Sequence, residues 1–183
     1  MLTDVSDREP SVSELADAAG INRSSFYAHF SSTADFILFI LDQALMDIHS
    51  ADLNRREGRT ISARDATRMV LTEIVQGILS DRRLVSVIRN APSMAQFRIA
   101  AMLRIQIVDY YAQVRAFEAL DPNFLSTAAD YVSGGLTTTI CAWLATSMPV
   151  AQEELVNQML ALVPPWMVDP DMIPFIDVTS ATR

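Results

Sequence analysis

The stretch SVSELADAAGINRSSFYAHF, residues 11–30, decides the reading of this chain. It opens with Ser11 and Glu14 three apart. In a capping box the Ser11 hydroxyl accepts from the Glu14 N–H, and the Glu14 carboxylate reaches back to Ser11. Pro10 stands just ahead. Val12, Leu15, Ala16 and Ala19 share one face of the helix that follows. Gly20 ends it, because glycine takes the left-handed backbone without a Cβ clash. Ile21 and Asn22 fill a short turn. Asn22 is a good N-cap for a second helix, Arg23 to Phe30. Phe26 and Phe30 lie four apart on its inner side, which leaves Arg23, Ser24, Ser25, Tyr27 and His29 on the outer side.

Two short helices, a tight turn, apolar locking residues and a polar outer face are the requirements of a helix-turn-helix. The outer side chains suit a major groove. Arg23, at the helix start, can donate two hydrogen bonds to guanine O6 and N7, worth about 1–3 kcal/mol of discrimination. Ser24 and Ser25 are short and let the backbone approach the bases. Tyr27 and His29 can reach phosphates.

Val12 through Phe30 resembles the signature of the TetR/AcrR family of transcriptional regulators. That signature is an Ile/Leu-Ala-x-x-Ala-Gly-Val/Ile turn followed by a recognition helix ending in Tyr-x-His-Phe. Leu15-Ala16-Asp17-Ala18-Ala19-Gly20-Ile21 and Tyr27-Ala28-His29-Phe30 stand in those places, and the resemblance covers residues 11–41. It implies base contacts from Arg23, Ser24 and Ser25, and phosphate contacts from Ser11, Tyr27 and His29. The family often has Lys at the start of the next helix. Thr33 stands there instead, keeping a donor and losing a charge. The resemblance further implies a homodimer on a pseudo-palindromic operator in double-stranded DNA. It also implies a repressor released by a small-molecule effector of unknown identity. In the family a basic arm and a full helix come before this unit. Ten residues precede Ser11 here, so the first helix is expected to be truncated.

The charge balance runs against DNA. The net charge is −8 and no Lys is present. Residues 1–50 carry eight acidic side chains against Arg8 and Arg23. An acidic chain is a poor non-specific DNA binder. A second reading therefore stays open: a dimeric ligand-sensing or interaction protein whose degenerate head binds DNA poorly.

The rest of the chain reads as all-α. Half of its 183 residues are apolar, only 5 are Gly and 8 Pro, and apolar residues recur at three and four. Ser32 caps a helix through about Leu53. Residues 54–61 are polar, and the domain boundary is expected there, giving a head over 1–53 and a helical ligand-binding and dimerisation bundle over 54–183. Further helices are expected at about 63–80, 82–90, 93–119, 122–148 and 151–163, with Pro164-Pro165 closing the helical body.

The helix after Ser93 carries apolar residues on more than one face. Met94, Phe97, Met102, Tyr110 and Tyr111 are candidates to line a cavity for an apolar effector, since Met and aromatic side chains fit varied shapes. The other reading of the same residues is ordinary core. The next helix has one charge, Asp130, along its length. Its stripe Val132, Leu136, Ile140 and Trp143, with Leu155 and Met159, is the expected dimer interface. Gly135, Thr139 and Ala142 form a second stripe of small residues.

Other chemistries find no motif. Two His and one Cys make a zinc site improbable on ligand count. No catalytic residue, metal ligand or cofactor is expected, and the chain does not read as an enzyme. Cys141, in an apolar run, reads as a small core residue. The uncharged stretch 131–148 holds too many Ser, Thr and Gly for a membrane span. With no signal peptide, a cytoplasmic location is expected.

Overall fold

Gly20 sits at φ +67°, the left-handed turn that its lack of a side chain permits. On either side of it are α1 (Val12–Ala18) and α2 (Arg23–His29). The computed structural model describes residues 11–18, 20–57, 61–90, 92–146 and 148–175. Residues 1–10, where a truncated first helix is expected, lie outside the described residues. The remaining helices are α3 (Thr33–Glu57), α4 (Ala63–Ser80), α5 (Arg82–Asn90), α6 (Pro92–Gln113), α7 (Pro122–Ala145), α8 (Gln152–Leu162) and α9 (Pro165–Val168). No strand occurs among the described residues.

Local chemistry sets most of the helix starts. Asp35 N–H donates to Ser32 Oγ at 3.1 Å and opens α3. Ser62 accepts from Asp65 N–H and opens α4. Asp121 accepts from the N–H groups of Asn123 and Phe124 and opens α7. Each such cap supplies an acceptor to an N–H that the helix itself leaves unpaired.

Four boundaries differ from the periodicity, one of them the end of α7, at Ala145 rather than at about Met148. The helix α3 runs to Glu57, four residues past Leu53, so the polar segment begins as helix. Arg55 and Arg56 explain this. Arg55 makes a bidentate pair with Glu73 of α4 at 2.5 and 2.8 Å, and Arg56 pairs with Asp52 at 2.6 Å. The helix expected to reach Ala119 stops at Gln113, and a 3-10 turn, Arg115–Ala119, follows. That turn sends Phe117 inward against Tyr110, Tyr111 and Trp166. After Pro164 the chain forms α9 and a further 3-10 turn, Pro170–Phe175.

One core runs through the body. Leu38, Leu41 and Leu45 of α3 share one apolar cluster with Ile74 and Ile78 of α4, Ile99 of α6, Ile140 and Leu144 of α7, and Met159 and Leu160 of α8. Each is fully buried. Burial of such a side chain is worth about 1.5–3 kcal/mol. The helix α3 thus belongs to both parts of the molecule. Its start carries the head, and its inner face is core of the body. No helix among the described residues is long and apolar enough to cross a membrane.

Candidate nucleic-acid interface and effector cavity

The reciprocal pair at the start of α1 forms as expected. Ser11 N–H donates to Glu14 Oε2 at 2.6 Å, and Glu14 N–H donates to Ser11 Oγ at 3.3 Å. Asn22 caps α2 through Ser25 N–H at 2.8 Å. Its Oδ1 also accepts the Ser24 hydroxyl at 2.7 Å. That bond uses the Ser24 proton, so toward a base Ser24 presents an acceptor. Phe26 is buried and holds α2 against α3, with its ring 5.8 Å from Phe36 and 5.4 Å from Phe30. Phe30 continues the contact to Phe39.

With the aromatic side fixed, the other side faces water. Arg23, Ser24, Tyr27 and His29 are exposed, and Ser25 is half-buried. Arg23 has no ion pair among the described residues, so its guanidinium is free to meet another charge. Ser11 and Thr33, at the starts of α1 and α3, are half-buried. These seven side chains belong to the head, and five of them follow one another on a single short helix.

Two head carboxylates are already neutralised from the body. Arg98 of α6 donates to Asp35 at 2.6 Å and to Asp42 at 2.7 Å. Asp35 is doubly engaged, because its other oxygen accepts from the Ser31 N–H at 2.9 Å and from the Ser31 hydroxyl. The loop after the recognition helix is thereby fastened to the body. Burial pushes the Asp42 carboxyl above its ordinary range, against the opposing pull of Arg98. Further along the same seam, His49 Nε2 lies 2.8 Å from Asp109. Arg98 and Asp109 give no signal in sequence, since their partners are about sixty residues away.

The far end of α3 lines a cavity. It has a volume of about 70 Å³, opens to solvent, and lies between α3, α4, α6, α7, the end of α8 and α9. Tyr110 is in its wall, with Leu103, Gln106 and Ile107 of the same helix. Gln106 is buried and donates to Leu45 O at 3.0 Å, and the Tyr110 hydroxyl donates to Met167 O at 3.1 Å. Of the other side chains expected to line a cavity, Met102 packs against the core from a half-buried position, and Tyr111 is buried against Phe117 and Trp166. Burial raises the Tyr111 phenol far above its ordinary pKa. Met94 and Phe97 stand on the outer side of α6, Phe97 being 75% exposed. A helix apolar on several faces gives periodicity no direction, so the inward face could not be chosen.

The same holds for α7. Ile140, Trp143 and Leu155 are buried in the chain's own core. Trp143 also spends its indole N–H on Val150 O at 2.9 Å. Val132 and Met159 are buried in that core too, and with Leu136 they form the floor of a groove between α7 and α8 that also includes Tyr131, Gly135, Thr139 and Leu162. Tyr131 and Leu162 are each 75% exposed. Cys141 is buried, which pushes its thiol up to about 11. Among the described residues no three metal-ligating side chains come together.

Residues 9–38 match the sequence profile described as bacterial regulatory proteins, tetR family. The chain carries a TetR-family head. The whole fold is similar to the fatty acid degradation regulator FadR from Bacillus halodurans. That match has a TM-score of 0.52 and 14% identity, covering 86% of this chain and 85% of the other. It is also similar to the transcriptional regulator FadR from Bacillus subtilis in complex with stearoyl-CoA. There the TM-score is 0.51 and the identity 15%, covering 87% and 88% of the two chains. No curated protein sequence matches the chain. The TetR-family match spans α1, α2 and the first turn of α3, which carry Ser11, Arg23, Ser24, Ser25, Tyr27, His29 and Thr33.

Proposed function

We propose that this chain is a homodimeric TetR-type repressor whose two heads bind half-sites in DNA and are released by a small, largely apolar effector. One observation carries the reading. The helix α3 touches the recognition unit at one end, through Phe36 and Asp35, and the cavity at the other, through Asp52 and Arg56. Functionally the division is a head with connecting helix, 1–53, and a body, 54–183. Arg23, Ser24 and Ser25 meet bases. Ser11, Tyr27, His29 and Thr33 meet phosphates. An effector that fits the cavity better in a second arrangement of α3 shifts the population away from DNA, by as much as its affinities for the two arrangements differ.

The test is DNA binding itself. Gel shifts with the DNA flanking the coding sequence should give a saturable complex that weakens as salt rises. Arg23→Ala should weaken it and relax preference at one base pair per half-site, by about 1–3 kcal/mol. A wild-type chain that shifts no DNA at low salt would instead support the acidic, degenerate-head reading. Unchanged base preference in Arg23→Ala would remove Arg23 from the readout.

For the dimer we assign the face around Tyr131, Gly135, Thr139 and Leu162. A helix pair with small residues at its centre and large apolar ones at its edge suits a copy of itself across a two-fold axis. Light scattering should give twice the chain mass for the wild type. Leu162→Arg should shift it to the monomer, because the charge would be buried unpaired twice over in an isologous contact. A dimer untouched by that change places the interface elsewhere.

A further inference from the structure

The polar end of the cavity is unfinished. Asp52 and Arg56 sit one helical turn apart in the last turns of α3 and line the cavity. Arg56 Nε donates to Asp52 Oδ2 at 2.6 Å. Arg56 Nη2 reaches Thr67 Oγ1 at 3.4 Å, and the guanidinium lies 4.3 Å from the Tyr110 ring centroid. Asp52 Oδ1 and Arg56 Nη1 are buried and have no partner among the described residues. The Tyr110 hydroxyl is spent on the Met167 carbonyl, and the Gln106 amide donates to the Leu45 carbonyl rather than to Asp52. Asp52 is only 8% exposed. Buried polar groups are normally paired, and an unpaired one is costly.

What would complete this end can be specified. Asp52 Oδ1 needs a donor and Arg56 Nη1 needs an acceptor, on two side chains that are themselves paired. Net charge is not needed. Among the described residues no other charged side chain lines the cavity, and these two cancel. A carboxylate brings acceptors only, and its charge would face Asp52 as well as Arg56. An ester also lacks the donor. An uncharged amide offers its carbonyl to Arg56 and its N–H to Asp52. Val70, Leu103, Ile107, Leu136 and Val163 provide an apolar wall for the rest of such a molecule.

We propose that the cavity selects a neutral ligand with an apolar body and an amide-class head, a donor beside an acceptor, seated on Asp52 and Arg56. This rests on the reading of the cavity as the effector site.

The experiment compares octanamide, octanoate and methyl octanoate by calorimetry at neutral pH on the full chain. The three share one apolar tail and differ at the head. Octanamide should bind about ten-fold tighter than either of the others. The double variant Asp52→Leu with Arg56→Met replaces the pair by apolar side chains, a change that buried pairs generally tolerate in folding. In it the preference should disappear, with methyl octanoate binding as well as octanamide. Equal binding of all three to the wild type, or tighter octanoate, overturns the amide head and leaves the effector cavity standing. A preference retained in the double variant also overturns it. No binding of any probe overturns both readings.

Discussion

Arg98→Met should lower stability by about 2–3 kcal/mol and loosen the head from the body. Removing one partner of a buried ion pair typically costs about 3–5 kcal/mol, because a charge is left buried and unpaired. Here the side chains of Arg98, Asp35 and Asp42 keep 27%, 18% and 23% of their exposure, so solvent screens part of the loss. Two carboxylates are stranded by one substitution, which keeps the effect large. The pH dependence has a definite sign. Asp42 is already raised above 3.8 by burial, and Arg98 alone pulls it down among its neighbours. A carboxylate with a raised folded pKa costs stability above that pKa and nothing below its unfolded value. The deficit of Arg98→Met should therefore be largest at neutral pH and shrink toward pH 4. Thermal melts at several pH values read both the size and the trend. Arg98→Lys should recover only part of the loss, since a single ammonium does not hold two carboxylates in the fork geometry of guanidinium. A deficit that grows as pH falls contradicts the role given to the pair.

Phe26→Ala should abolish DNA binding on every sequence while leaving the cavity able to take its ligand. The helix α2 has seven residues, far too few to be stable by itself. Its place depends on the Phe26 ring, 3% exposed, packed among Tyr27, Phe30 and Phe36. Truncating a buried Phe to Ala costs about 3–5 kcal/mol. A head held by so few contacts has nothing to absorb that loss. The expected pattern differs from that of Arg23→Ala, which changes preference rather than occupancy. Proteolysis should cut the variant near α2 first, with the body helices protected. A variant that still gives the wild-type gel shift would mean that the recognition helix is held by something other than this aromatic cluster.

The head was legible because its determinants are local. Ser11 with Glu14, Gly20, and Asn22 with Ser25 act across at most four positions, and all three formed as their chemistry requires. The body was legible as helices but not as surfaces. Phe97 and Ile140 are both apolar residues on largely apolar helices, yet one faces water and the other lies in the core. Only packing against other helices separates them, and periodicity carries no record of it when several faces are apolar. The polar parts of the body were hidden for a second reason. Arg56 in a run of charged residues reads as a solvated linker. Its burial depends on α4 and α6 closing over the end of α3, and its place in the cavity wall is set by residues up to 112 positions away.

The unbroken length of α3 has a mechanical consequence. Twenty-five residues at 1.5 Å each make a rod about 37 Å long. A stiff rod works as a lever: it passes on an angle undiminished. A tilt of ~5° imposed where Arg56 meets the cavity would sweep the beginning of α3 sideways by about 3 Å. Hydrogen bonds to base edges tolerate only a few tenths of an ångström, so that travel would break the base contact proposed for Arg23. In a dimer both levers swing, and the spacing between the two recognition helices changes by the sum. An effector of the proposed kind need not be large or strongly held at any one atom. It has only to favour one tilt over the other.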